Sequence, residues 1–150
     1  MTIAALLLSL TVTIYCIGRV KRCLDSISEI SYILPHWMFT IWIASIALLL
    51  SPAIIDHLPD NMKWVGFVSI AGLLTVAASP YYKTENSIMH YAGGWICGIG
   101  FMIVVSLNIP HLLFGWSLYL IIMLAKKWKE WVFWMEIVTF LMLTITLLIK

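Results

Sequence analysis

The segment that most constrains this chain is Ile88 to Ala125, 38 residues without a single Asp, Glu, Lys or Arg. As one helix it would reach about 57 Å at 1.5 Å per residue, roughly twice the hydrocarbon thickness of a bilayer. It must therefore reverse, and Ser106-Leu107-Asn108-Ile109-Pro110 supplies the turn residues. The remainder is similar in character. A hydrophobic fraction of 63%, a charged fraction of 11% and a mean hydropathy of +1.02 exclude an ordinary soluble domain. At roughly 20 residues per crossing, 150 residues hold at most about six spans with short loops and leave no room for a soluble domain. The expectation is an all-α polytopic membrane protein, a six-transmembrane-helix bundle.

The chain divides accordingly into one transmembrane domain, residues 1–150, with spans at about 2–17, 33–55, 62–79, 88–107, 110–125 and 131–149. The N-terminal apolar run has its basic residues after it, at Arg19, Lys21 and Arg22, and no A-x-A-like site, so it reads as a retained span rather than a secretion signal. Small residues do not precede Cys16 as they would a lipidated cysteine. Pro35 is expected in the first turn of the second span, and Pro52 is expected to bend or end it. Pro80 is expected to stop the third. Cys16, Cys23 and Cys97 form no CxxC pair, which speaks against a disulfide framework or a zinc site.

Six spans place both termini on one side, and basic residues choose the side. With the termini outside, the inner loops hold Arg19, Lys21, Arg22, Lys83, Lys126, Lys127 and Lys129, seven of the nine basic residues. Lys63 and Lys150 fall outside. The expected setting is a bacterial inner (cytoplasmic) membrane, with membrane lipids as partners and no nucleic acid or cofactor. Trp128, Trp131 and Trp134, with Tyr32 and Trp37, fit an aromatic belt at the inner interface. Each returning helix also carries an ionisable residue just past its start: His36, His90 and Glu136.

Ionisable groups inside spans cost about 2.5 kcal/mol or more at the bilayer centre, so they face an interior, a cavity or a partner. Glu136, about 7.5 Å into its span by helical rise, fits a proton carrier, an acid or base, or a cation ligand. It equally fits a carboxyl hydrogen-bonded to another helix. His36, Lys83, His90 and Glu136 are the candidate ligand-binding residues, and either histidine can also be a satisfied interfacial polar group. The candidate catalytic set is His90, Glu85, Ser87, Glu29, Ser28 and Glu136, since a serine beside a histidine and an acid can form a nucleophile. Ser28, Ser31, Thr84 and Ser87 fit helix N-caps as well, with Asp25 and Ser26 in the same polar run. Asp56, His57, Asp60 and His111 fall on the outer side, within reach of a divalent metal in principle, but turn chemistry accounts for Asp56 to Asn61, His111 follows Pro110 at a reversal, and no metal is expected. Gly94 and Gly98 form a small-xxx-small pair that suits tight packing within the bundle or a homo-oligomer seam.

The segments Ser26-Ile27-Ser28-Glu29-Ile30-Ser31-Tyr32, Phe39-Thr40, Pro80-Tyr81-Tyr82-Lys83 and His90-Tyr91-Ala92-Gly93 carry a resemblance. Over about residues 26 to 105 the chain resembles small multi-pass membrane proteins of gut Bacteroidota and their phages, a group without an established activity. The resemblance implies a membrane protein and marks the same polar residues, but names no reaction. More distantly, the inner polar cluster is similar to that of membrane hydrolases of the ceramidase and progestin-receptor-like superfamily. The chain lacks their paired HxxxH in a late span, and it has fewer spans.

Three functions follow as expectations. The first is a non-enzymatic binding or interaction module with a polar cluster at the inner leaflet, formed by Glu29, His36, Lys83, Glu85, His90 and Glu136. The others are an intramembrane lipid hydrolase using a Ser/His/acid cluster, and a proton-coupled carrier or pore through Glu136.

Overall fold

The computed structural model describes residues 1–82, 87–126 and 129–149, and they are helical almost throughout. In chain order the α-helices are α1 (Thr2–Val20), α2 (Ile30–Ile33), α3 (His36–Asp56), α4 (Lys63–Ala77), α5 (Ser87–Asn108), α6 (His111–Lys126) and α7 (Trp131–Leu148). Four of them, α1, α3, α5 and α7, are long and apolar enough to cross a membrane. Helix α6 is apolar but shorter, and the 15-residue α4 is lengthened by 3-10 turns at Asp60–Met62 and Ser79–Tyr81.

Local chemistry sets the ends. Helix α1 runs three residues past the expected boundary and stops where Lys21 turns into the left-handed region, φ 56°, with its N–H on the Ile17 carbonyl at 2.8 Å. Arg19 is therefore helical, in the last turn, where a cation complements the helix dipole. Pro35 lies one residue before α3 rather than inside its first turn, with Leu34 extended ahead of it and Ile33 closing the separate α2. Pro52 does not end α3, which continues to Asp56. A proline there deprives the Leu48 carbonyl of its i+4 donor. The Ser51 hydroxyl donates to that carbonyl at 3.0 Å instead. The reversal between α5 and α6 falls at Ile109 and Pro110, as the length of the uncharged run requires.

Five long helices form a ring in which α1 packs on α3, α3 on α4, α4 on α5, α5 on α7, and α7 back on α1. Helix α6 lies outside the ring against α5 and α7, and of its residues only Met123 is buried. Phe39, Leu50, Ile54, Val104, Val105 and Leu143 fill the centre, while Ser69, Thr144 and Thr146 are also buried. Outward faces carry Trp64, Phe67, Trp95, Ile99, Phe114 and Ile121, all exposed. Buried hydroxyls and an outer skin of large apolar side chains suit a lipid solvent.

The closest approach is between α4 and α5. A Cβ on Gly72 would meet the Gly93 carbonyl oxygen at 2.8 Å, and one on Gly100 would sit 1.7 Å from Ser69 Oγ. The seam therefore runs through Gly93, Cys97 and Gly100, all buried. Gly94 and Gly98 do not make it: nothing lies within 4 Å of a Cβ at either position. Their face of α5 is rotated by one residue away from α4, which corrects the expected intramolecular packing role.

Candidate functional site

At one end of the ring, the segment between α1 and α3 is laid across the start of α7. Leu24 and Ile30, both fully buried, plug it into the core. Between them the segment closes on itself through Glu29. Its carboxylate accepts the Asp25 N–H at 2.7 Å and pairs with the Arg22 guanidinium, which also donates to the Cys23 carbonyl at 2.9 Å. The hydrogen bond that the Arg22 guanidinium donates to Glu29, and then the charge of that carboxylate, hold the guanidinium above its ordinary range.

Reciprocal hydrogen bonds join this segment to α7. Phe133 is among the first residues of α7, whose N–H groups lack intrahelical acceptors. Its N–H donates to the Asp25 carbonyl at 3.2 Å. In return Glu136 Oε2 accepts the N–H of Ile27, the first residue of the 3-10 turn Ile27–Glu29, at 2.6 Å. The backbone of the segment caps α7, and a carboxylate of α7 caps the turn. Cys23 is half-buried close to Glu130, and burial first, then that carboxylate, pushes its thiol up. Together these contacts form a clamp between the segment and α7.

The expected site residues are spread across distinct environments. Glu136 is at the clamp and also within electrostatic reach of Cys97, on the buried face of α5. His90, 6% exposed, lies on that same face two turns before Cys97, its ring edge-on to Tyr91 with centroids 5.6 Å apart. Glu136 and His90 thus both belong to the α5–α7 side of the interior. His36 does not join them there: it is exposed, edge-on to Tyr81 at 6.0 Å. The sequence rhythm of His36, His90 and Glu136 therefore spans two surroundings, the α5–α7 side of the interior for His90 and Glu136 and the exposed surface for His36. Ser87 opens α5 and is exposed. Lys83, Thr84, Glu85, Lys127 and Trp128 lie outside the described residues.

Capping does not account for Ser28 and Ser31. Ser28 sits inside the 3-10 turn with its hydroxyl 2.9 Å from that of Ser26, and Ser31 sits inside α2 with its hydroxyl donating to the Ser28 carbonyl at 2.7 Å. Both hydroxyls are engaged in folding the segment. Thr40 ties the start of α3 to the end of α4, donating toward the Ala77 carbonyl at 2.9 Å, and Tyr82 Oη donates to the Thr75 carbonyl at 2.5 Å.

At the opposite end Asn108 Nδ2 donates to the His57 carbonyl at 3.1 Å. His57 Nδ1 is 2.8 Å from the Ala53 carbonyl, so it carries the proton in that bond. Asp60 pairs with Lys63 at 2.7 Å, and the hydrogen bond, then the charge, of that lysine holds its carboxyl below the usual range. Among the described residues no three His, Cys, Asp or Glu side chains gather to hold a metal ion.

Sequence reasoning missed the α7 caps, because the partners of Phe133 and Glu136 are about a hundred residues away in the chain. The separation is 109 residues for Ile27 and Glu136. The available signal was Leu24 and Ile30, two apolar residues bracketing a polar run, which mark a segment that returns to the core. Compared with known proteins, the chain matches no family model, no curated protein and no solved structure.

Proposed function

We propose that this chain is a non-enzymatic binding or interaction module of a bacterial inner membrane, crossing six times with both termini outside and its clamp at the inner leaflet. The direction of the chain supports six crossings. Helix α5 ends beside His57, whereas α7 begins beside Asp25 at the other end, so the 16-residue α6 carries the chain back across. The contact between Thr40 and Ala77 makes the same case for α4. Arg19, Lys21, Arg22, Lys126 and Lys129 then lie on the inner side, as the positive-inside tendency favours. Tyr32, Trp37, Trp131 and Trp134, all exposed around that end, fit its interface.

The observation that carries the binding role is the commitment of Glu29 and Glu136 to backbone N–H groups. A proton carrier needs a carboxyl free to exchange its proton, and a hydrolase needs an unoccupied acid or base. Here both carboxylates brace the segment, and His36 with the described basic residues of that end forms the rim that meets a ligand, a lipid headgroup or a partner protein. The open small-residue face at Gly94 and Gly98 is where a second copy would approach. We further propose a phage- or defence-related setting, on the resemblance of residues 26 to 105 to membrane proteins of gut Bacteroidota and their phages.

Reconstitution tests this reading. Proteoliposomes of the wild-type chain are expected to hold an imposed pH gradient as well as empty vesicles, and to leave a broad panel of lipids unhydrolysed. Proton flux that disappears in Glu136→Gln would establish the carrier, and lipid turnover that disappears in His90→Ala would establish the hydrolase.

A further inference from the structure

Helices α1 and α3 do not close fully against one another. An open groove of about 210 Å³ runs between them, with Leu8 and Val12 on one wall and Trp37, Ile41, Trp42 and Ser45 on the other. Its lining is almost wholly apolar, and its volume lies below the roughly 300–1,000 Å³ of ordinary small-molecule pockets. A narrow chain fits such a space better than a compact ligand does.

Its depth is that of one leaflet. On α3 the lining begins one residue into the helix at the clamp end, at Trp37, and reaches Ser45, about 12 Å further on by helical rise. On α1, Leu8 and Val12 lie about 18 and 12 Å from the helix end at Val20. The hydrocarbon of one leaflet is about 15 Å, half of the bilayer core. Trp37, 59% exposed, stands at the mouth, where an amphipathic ring suits the headgroup boundary.

Charge completes the match. Arg19 lies seven residues, two helical turns, beyond Val12, so it continues the Leu8–Val12 stripe to the clamp end of α1. Lys21 follows at the helix cap. Arg22 is taken by Glu29, whereas Arg19 and Lys21 have no carboxylate partner among the described residues. Arg19 therefore stands on the stripe above an apolar groove about one leaflet deep, with Lys21 the next cation at the helix cap. Trp42, 4% exposed in the groove wall, also has an indole N–H without an acceptor.

We propose that the α1–α3 groove holds one acyl chain of an anionic phospholipid from the leaflet on the clamp side, with its phosphate against Arg19 and Lys21. The site rests on the membrane reading above and is separate from the binding role of the clamp rim. The chain enters beside Trp37 and lies along Val12, Leu8 and Ile41, while the headgroup charge selects the lipid.

Native mass spectrometry of the full chain in mild detergent, titrated with phosphatidylglycerol or phosphatidylcholine of identical chains, tests this directly. One phosphatidylglycerol should be retained, with phosphatidylcholine about tenfold weaker. Arg19→Gln with Lys21→Gln should remove that preference. Ser45→Leu, which fills the groove and leaves the cations in place, should reduce retention of both lipids. Equal binding of the two lipids by wild type would overturn the proposal, and so would unchanged phosphatidylglycerol binding in Ser45→Leu with helicity intact. A wild-type dimer that Ser45→Leu dissociates would also overturn it, by giving the groove to a second copy. Carbonate extraction of cell membranes reads the membrane claim separately: a retained protein without lipid preference sinks this site alone, whereas an extracted protein sinks the membrane reading.

Discussion

Glu136 lies in the apolar α7, yet its carboxylate reaches the backbone of a distant segment: Oε2 accepts the Ile27 N–H at 2.6 Å. This role needs an acceptor rather than a charge, which separates two substitutions. Glu136→Ala leaves the N–H unpaired and is expected to cost about 1.5–3 kcal/mol, the range for hydrogen bonds to charged groups. Glu136→Gln keeps an oxygen in place and should cost less than about 1 kcal/mol. Thermal melting in detergent reads the difference, and equal losses in the two variants would contradict the capping role. The glycines make a second case at this scale. Gly100→Ala drives a methyl group into Ser69 and Gly72→Ala drives one into the Gly93 carbonyl, so each should destabilise by about 1–3 kcal/mol. Gly94→Ala and Gly98→Ala meet open space and should be neutral, or stabilising through helix propensity. A loss of oligomer in those two variants, with the monomer fold intact, would locate a homo-oligomer seam there. The sequence showed small residues on α5 but not which of two adjacent faces met α4. The register depends on Ser69 and Gly72, which only the packed pair brings opposite.

Helix α6 is held differently from its neighbours. Trp116 Nε1 donates to Thr139 Oγ1 on α7 at 3.1 Å, and Met123 is the one residue of α6 that is buried. Weakly packed elements open at lower free energy than the core. Hydrogen exchange in detergent should therefore show α6 exchanging faster than α5, and Trp116→Phe should widen the gap. Equal protection of α5 and α6 would mean that α6 belongs to the core. At this scale the length of Ile88 to Ala125 made the break between α5 and α6 legible, because no bilayer accepts about 57 Å of straight helix. The course of α3 through Pro52 was less legible, since the outcome depended on the Ser51 hydroxyl reaching the Leu48 carbonyl. Helix α2 and the 3-10 turn before it were not legible at all: their polar sequence looks like a loop, and burial of Leu24 and Ile30 orders it.

For the molecule as a whole, the all-helical architecture and its apolar skin follow from composition, whereas the ring order of helices does not. Many arrangements bury similar area, and the choice among them rests on local fits such as Gly72 against Gly93 and Asp25 against Phe133. The proposed topology turns the clamp end inward and the His57 end outward, with six crossings between them. Single cysteines test this in a chain whose Cys16, Cys23 and Cys97 are replaced by serine or alanine: Asn61→Cys at one end and Lys129→Cys at the other, both at exposed positions. Labelling with a membrane-impermeant maleimide is predicted to reach Asn61→Cys in intact spheroplasts and Lys129→Cys only after permeabilisation. Labelling of Lys129→Cys in intact spheroplasts, or of both cysteines from the same side, would contradict it.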